Sequence, residues 1–150
     1  MEMCQLIIAR KDLQMSPGKL AAQVSHASMA FLTTMIKENA VPFTENACDV
    51  YHAFLTFDAD TFEGWIQGSF TKIVCEAKNR SQLLKVVEIA KGLQLVEGKD
   101  FFLIKDNCRT ELTPEEIDEN GIGRTLTCIG FRPLPKNVCG QISKKYQLYR

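Results

Sequence analysis

The sequence carries no net charge, with 18 Lys and Arg against 18 Asp and Glu. A protein that grips nucleic acid over its whole surface would show a large basic excess, so that class is excluded. No stretch of 18 uncharged apolar residues occurs, which rules out a membrane-spanning helix by length alone. The opening "MEMCQLIIARKDL" has only a short apolar run, broken by Arg10 and Lys11. That run is too short for a secretory leader, and a cytoplasmic protein with no membrane partner is expected. Six cysteines are present, but no C-x-x-C pair and no Cys/His spacing of the kind metal sites use. Neither a metal site nor a disulfide framework is supported, and no cofactor is expected. Most of the cysteines sit in apolar runs and read as small buried hydrophobes. Internal repeats and low-complexity segments are missing as well.

What remains is a chain of 150 residues, 45% hydrophobic, which suits one globular domain over 1–150 with its own core. The charge is unevenly spread. Residues 132–150 hold five cations and no acid, while the 112 residues from 20 to 131 hold a net −6. A basic tail on an acidic body either engages phosphates locally or is a solvated helix face.

"CQLIIAR" (4–10) predicts a strand. Ser16-Pro17-Gly18 then predicts a helix start, with Ser16 as N-cap and Pro17 in the first turn. This helix runs to about Lys37, with Leu20, Val24, Ala27 and Phe31 as its buried stripe. Val50, Phe54 and Phe57 recur at i, i+4 and i+7, and Asp60 or Thr61 can cap a turn holding Phe62 and Trp65. One or two short helices are therefore expected over 43–69. Further strands are expected at 71–77, 100–105 and 124–131. Asn79 or Ser81 caps a helix through "QLLKVVEIAKGL" ending at Gly92, and "KNVCGQISKKYQLY" (136–149) closes the chain as a helix. The alternation predicts an α/β fold with a mostly parallel sheet flanked by helices. The last two strands have no helix between them, so an antiparallel member and a mixed sheet follow.

Two polar groups stand out. On the first helix Lys19, Gln23 and His26 fall within about 60° of one another at 100° per residue, forming one stripe. The stripe begins at a helix N-terminus just past a strand end, where open α/β sheets bind ligands. A lysine in the first turn opposes the helix dipole, which an anionic partner would offset. The plainer alternative is a solvated Lys19, an exposed Gln23 and a histidine bonded to backbone. The second group is "IKDNCRTEL" (104–112), where Asp106, Arg109 and Thr110 leave the third strand on the same side of a parallel sheet. Lys19 could meet Asp106 there, or the segment could be an ordinary Asp-Asn turn. A Cys108–His26 thiol pair is a third option, although no residue clearly orients that histidine.

"DLQMSPGKLAAQVSHA" (12–27) closely resembles the signature of the archaeal and eukaryotic, second-class type of peptidyl-tRNA hydrolase, D-L-x-M-x-x-G-K-x-A-A-Q-x-x-H-A. "IKDNCRTEL" is similar to that family's second motif, an aspartate followed by Arg-Thr. The tail "CIGFRPLPKNVCGQISKKYQLYR" resembles a divergent branch, the peptidyl-tRNA hydrolase domain-containing proteins. The resemblance implies a three-layer α/β/α sandwich with a four-stranded mixed sheet, often dimeric, that needs no metal. It implies a crevice in which Lys19, Asp106 and Thr110 are catalytic and Gln23, His26 and Arg109 hold substrate. The implied partner is the 3′ acceptor end of peptidyl-tRNA, and the implied reaction is hydrolysis of the ester between peptide and ribose. The sequence departs from the family at Asn107-Cys108, where small residues including glycine are usual, and at Glu111, where glutamine is commoner. Those departures raise the alternative of a non-catalytic binder of tRNA or protein, or of an esterase for another acyl ester.

Overall fold

The computed structural model describes residues 1–150. Strand β1 (Met3–Arg10) is buried along its whole length and forms the centre of the sheet. Its neighbours are β4 (Lys72–Ala77), parallel to it, and β7 (Gly123–Phe131), antiparallel. Strand β5 (Phe101–Asp106) follows on the far side of β7, antiparallel to it. Strands β1, β4 and β5 thus run the same way and β7 against them, as the missing crossover helix predicts. Two short strands, β6 (Glu116–Ile117) on β7 and β8 (Leu134–Pro135) on β1, extend the expected four strands to six.

Helix α1 (Pro17–Asn39) covers one face. Helices α3 (Arg80–Gly92) and α4 (Lys136–Ser143) cover the other, completing the sandwich. Period-2 alternation along β1 divides the core accordingly. Cys4, Leu6 and Ile8 pack with Leu83, Val86 and Ala90 of α3 and with Cys139 and Ile142 of α4. Ile7 and Ala9 face Ala27 of α1. At this second layer the helix nearly touches the strand: a Cβ on Gly130 would sit 2.2 Å from the Ala27 carbonyl oxygen. Only glycine admits that approach, which sets how deeply α1 seats on β7.

Ser16 caps α1 as expected, its hydroxyl accepting from the Lys19 N–H at 3.3 Å. Ala27 and Phe31 are buried as expected, but Gln23 joins them, and Leu20 and Val24 are only half-buried. The 43–69 region follows the helical expectation only in its second half. Asp58 caps α2 (Ala59–Thr61), which continues as a π-helix over Phe62–Ser69 and buries Trp65 against Phe31. The first half is a hairpin instead, β2 (Ala40–Glu45) against β3 (Cys48–Ala53). Asn46 and Ala47 both turn at positive φ, +50° and +63°, the twist a two-residue hairpin favours. Asn-Ala lacks the glycine that usually marks such a turn, so the helical spacing of Val50, Phe54 and Phe57 prevailed in the sequence reading.

The closing helix is also shorter than expected, ending at Ser143. Residues 147–149 lie along the open edge of β4. The Glu76 N–H donates to Gln147 O at 2.9 Å and the Tyr149 N–H to Val74 O at 3.0 Å. An unpaired strand edge offers backbone partners that a further helical turn cannot match.

Candidate active site

The N-terminus of α1 and the C-terminus of β5 meet at the same end of the sheet. The ammonium of Lys19 donates to Asp106 Oδ1 at 2.9 Å and to Thr110 Oγ1 at 3.0 Å. These contacts join segments separated by 87 and 91 residues. A register shift between Ile104 and Lys105 places a bulge just before Asp106. The extra residue is Thr127 on β7, and Asp106 faces α1 by plain alternation from Phe102 and Ile104, which pack on that helix's side of the sheet.

Asp106 is the hub. Its Oδ1 also accepts from Gln23 Nε2 at 3.1 Å, and its Oδ2 from the Cys108 N–H at 2.9 Å. Burial pushes this carboxyl up, but the Lys19 ammonium, the Cys108 N–H and the Gln23 amide together pull it below its ordinary value. The ion pair is sheltered yet reachable, with side-chain exposures of 12% for Lys19 and 8% for Asp106, and Thr110 lies exposed beside it.

Gln23 is only 2% exposed, so it faces the carboxylate and not the mouth of the cleft. Its Oε1 accepts from the Thr127 hydroxyl at 2.7 Å, which anchors the amide to β7. His26 and Arg109 are exposed and make no side-chain hydrogen bond or ion pair within the chain. The Cys108 thiol donates toward Thr125 Oγ1 at 3.3 Å, not to His26. The thiol pair is therefore not assembled.

Both departures from the family motif acquire a physical account. Cys108 takes a φ of +58°, a left-handed conformation that costs a non-glycine residue about 1 kcal/mol. Its N–H bond to Asp106 offsets that strain. Glu111 accepts from the Ser16 N–H at 2.9 Å and from the Ser16 hydroxyl at 2.5 Å. Those two bonds lower its carboxyl below the ordinary value. Helix α1 has no acid in its own first turn, so Glu111 supplies the negative charge that its N-terminus favours, from across the cleft.

Sequence reading overlooked Arg10 and Thr127. The Arg10 side chain is 4% exposed at the end of β1. It donates to Asp12 at 2.8 and 3.1 Å, to both oxygens of Glu115 and to Leu126 O at 3.0 Å. Burial disfavours its charge, but the two carboxylates more than offset that and raise its pKa. This clamp pins the 107–123 connection, which carries Thr110, to the core. A charge terminating a buried strand and a second threonine in "RTLTCIGF" were the available signals.

The sequence profile of the Peptidyl-tRNA hydrolase PTH2 family matches residues 3–149. A peptidyl-tRNA hydrolase of Methanopyrus kandleri is 35% identical over 147 residues, covering 97% of each chain. Another, from Saccharolobus islandicus, is 27% identical over 143 residues, covering 95% of this chain and 96% of its own. With both motifs on one cleft and the profile spanning nearly every residue, the chain belongs to the peptidyl-tRNA hydrolase PTH2 family.

Proposed function

We propose that this chain hydrolyses the ester joining a peptide to the 3′-terminal ribose of tRNA, releasing both. The observation that carries the reading is the Lys19–Asp106–Thr110 contact, sheltered at the ion pair and open to solvent at Thr110. Ester hydrolysis needs positive charge where the carbonyl oxygen becomes an oxyanion, and a group that aims water at the carbonyl carbon. Lys19, held at the cleft wall, supplies the charge. Asp106 stays ionised at neutral pH and accepts a proton from the attacking water as a weak general base. Thr110 hydrogen-bonds the ester or a ribose hydroxyl. Gln23 acts through Asp106 as a positioning residue, which the Thr127 bond keeps in place. Exposed Arg109 and His26 flank the cleft and meet the acceptor end, Arg109 by its charge on phosphate.

The test is release of an N-acylated amino acid from tRNA by purified protein. Lys19→Ala and Asp106→Ala should each slow release by about 10²–10³-fold, as removal of a charge-stabilising group does. Rates equal to wild type would sink these assignments. Salt-dependent tRNA binding with no turnover would instead favour a non-catalytic binder.

No helix is long and apolar enough to cross a membrane, and we place the activity in the cytoplasm. We also propose a homodimer, the assembly the family resemblance implies. Sedimentation at twice 16.9 kDa would support it, and sedimentation at the single-chain mass would remove it.

A further inference from the structure

A groove of about 810 Å³ lies away from the candidate active site, beside the C-terminal half of α1. Phe31, Thr34 and Met35 of α1 line it, with Phe102 of β5 and Phe54 and Val96 at its rim. Groove and active site lie on one seam. Around α1 the residues Lys19, Gln23, Ala30 and Thr34 fall within about 60° of one another. Across the seam, Asp106 and Phe102 stand near opposite ends of β5. That strand is the edge of the sheet, and beyond a single bridge from Glu97 to Phe101 its outer side is unpaired.

We propose that this groove receives the peptide portion of the substrate. The chain leaves the ester at Lys19 and Asp106, runs extended beside β5, and seats an apolar side chain among Phe31, Phe102 and Val96. This assignment rests on the ester-hydrolase reading above. Three observations support it.

The first is length. From Lys19 to Phe31 the helix rises about 18 Å at 1.5 Å per residue, which five or six residues of extended peptide span at about 3.3 Å each. The second is backbone chemistry, since an open strand edge presents the N–H and C=O groups that an extended peptide pairs with. The third is charge. Three carboxylates, Glu38, Asp58 and Asp100, line the groove against two cations, Lys99 and Arg132. Arg132 and Asp100 pair at 2.6 Å and cancel each other, which leaves Glu38 and Asp58 against Lys99. Such a lining repels a phosphodiester backbone, so the tRNA stays outside, at the mouth near Arg109.

The experiment compares kcat/KM on two tRNAs, one carrying an N-acetylated single residue and one an N-acetylated hexapeptide with leucine farthest from the ester. Burial of that leucine should raise wild-type kcat/KM on the hexapeptide substrate about tenfold, through KM. Thr34→Arg, which fills the groove, and Val96→Glu, at its rim, should each erase that gain. Both variants should stay within about twofold of wild type on the short substrate, which also reports that they fold. Equal wild-type rates on the two substrates would overturn the proposal, as would variants that slow both alike. Conversion of a dimer to a monomer by Thr34→Arg would assign the groove to a second copy of the chain and overturn it too. If wild type releases neither substrate, the hydrolase reading itself falls and this assignment falls with it.

Discussion

Two connections leave the sheet, and their order comes from opposite sources. The arm at 40–53 has a complete ladder of its own, six residue pairs from Ala40–Ala53 to Glu45–Cys48. Yet nearly every residue in it is exposed, including Val41, Phe43 and Tyr51. The strap at 107–123 has almost no regular structure, only the two residues of β6. It is held instead by bonds to remote elements: Glu111 to Ser16, Glu115 to Arg10, and Glu116 to Lys105 and Arg80. The strap carries Thr110 into the cleft, whereas the arm contributes nothing there. A segment is positioned for chemistry by what it is tied to, and regular secondary structure alone does not do this.

The comparison breaks most decisively at Arg10. Replacing it with Met keeps much of the buried stem but removes the charge facing two carboxylates. Asp12 and Glu115 are each about one-third exposed and can rehydrate, so a loss of about 3 kcal/mol is expected, the low end for breaking a buried pair. Denaturant unfolding measures it. If the strap needs the clamp to deliver Thr110, kcat should fall as well, with tRNA binding nearly unchanged. Stability loss with intact kcat would show that the strap holds its place without Arg10.

Much of this was legible beforehand, and the misses have causes. The strands, the Ser16 and Asn79 caps and the antiparallel return of β7 follow from periodicity and local capping chemistry. That Lys19 could meet Asp106 follows from two strand ends of one direction defining one rim, whereas the place of Thr110 beside them came from the family resemblance. The arm was misread because Ala47 adopts a left-handed conformation without glycine to announce it. The tail was misread because local helical preference carries no information about an open edge on β4. Arg10 passed unnoticed because its partner Glu115 lies in a segment with no periodic pattern, 105 residues away, and nearby Asp12 alone does not announce a clamp. Long-range ion pairs leave no trace in a local window.

Acid should separate the two connections without any mutation. The strap carboxylates Glu111, Glu116 and Asp118, and Asp106 beside them, are all held below their ordinary values. The causes are the Ser16 bonds for Glu111, Lys105 for Glu116 and Arg124 for Asp118, with Lys19 and its neighbours overcoming burial at Asp106. For a depressed carboxyl, the stabilisation is fully present above the unfolded value, about 4. It is lost as pH falls through the lower folded value. Hydrogen-exchange protection over 107–123 should therefore hold from neutral pH to about 4 and then fall before that of the arm's ladder. Simultaneous loss in both segments would mean that acid unfolds the chain globally. Gln23→Leu sharpens the test, since without that amide the Asp106 carboxyl rises and the acid limb of kcat/KM moves to higher pH.

The smallest effect belongs to the arm's outer surface. Tyr51 is 73% exposed and pairs across the ladder with Pro42, whose ring supplies no N–H. Tyr51→Ser therefore removes little buried area and no ladder bond, and unfolding free energy should change by less than about 0.5 kcal/mol. The short-substrate rate should not change, because no arm residue reaches Lys19 or Asp106. A destabilisation well above that value would mean that Tyr51 is covered in solution. The arm would then owe its order to an outside contact, as the strap does, and the contrast between the two connections would narrow to a difference in which surface each is tied to.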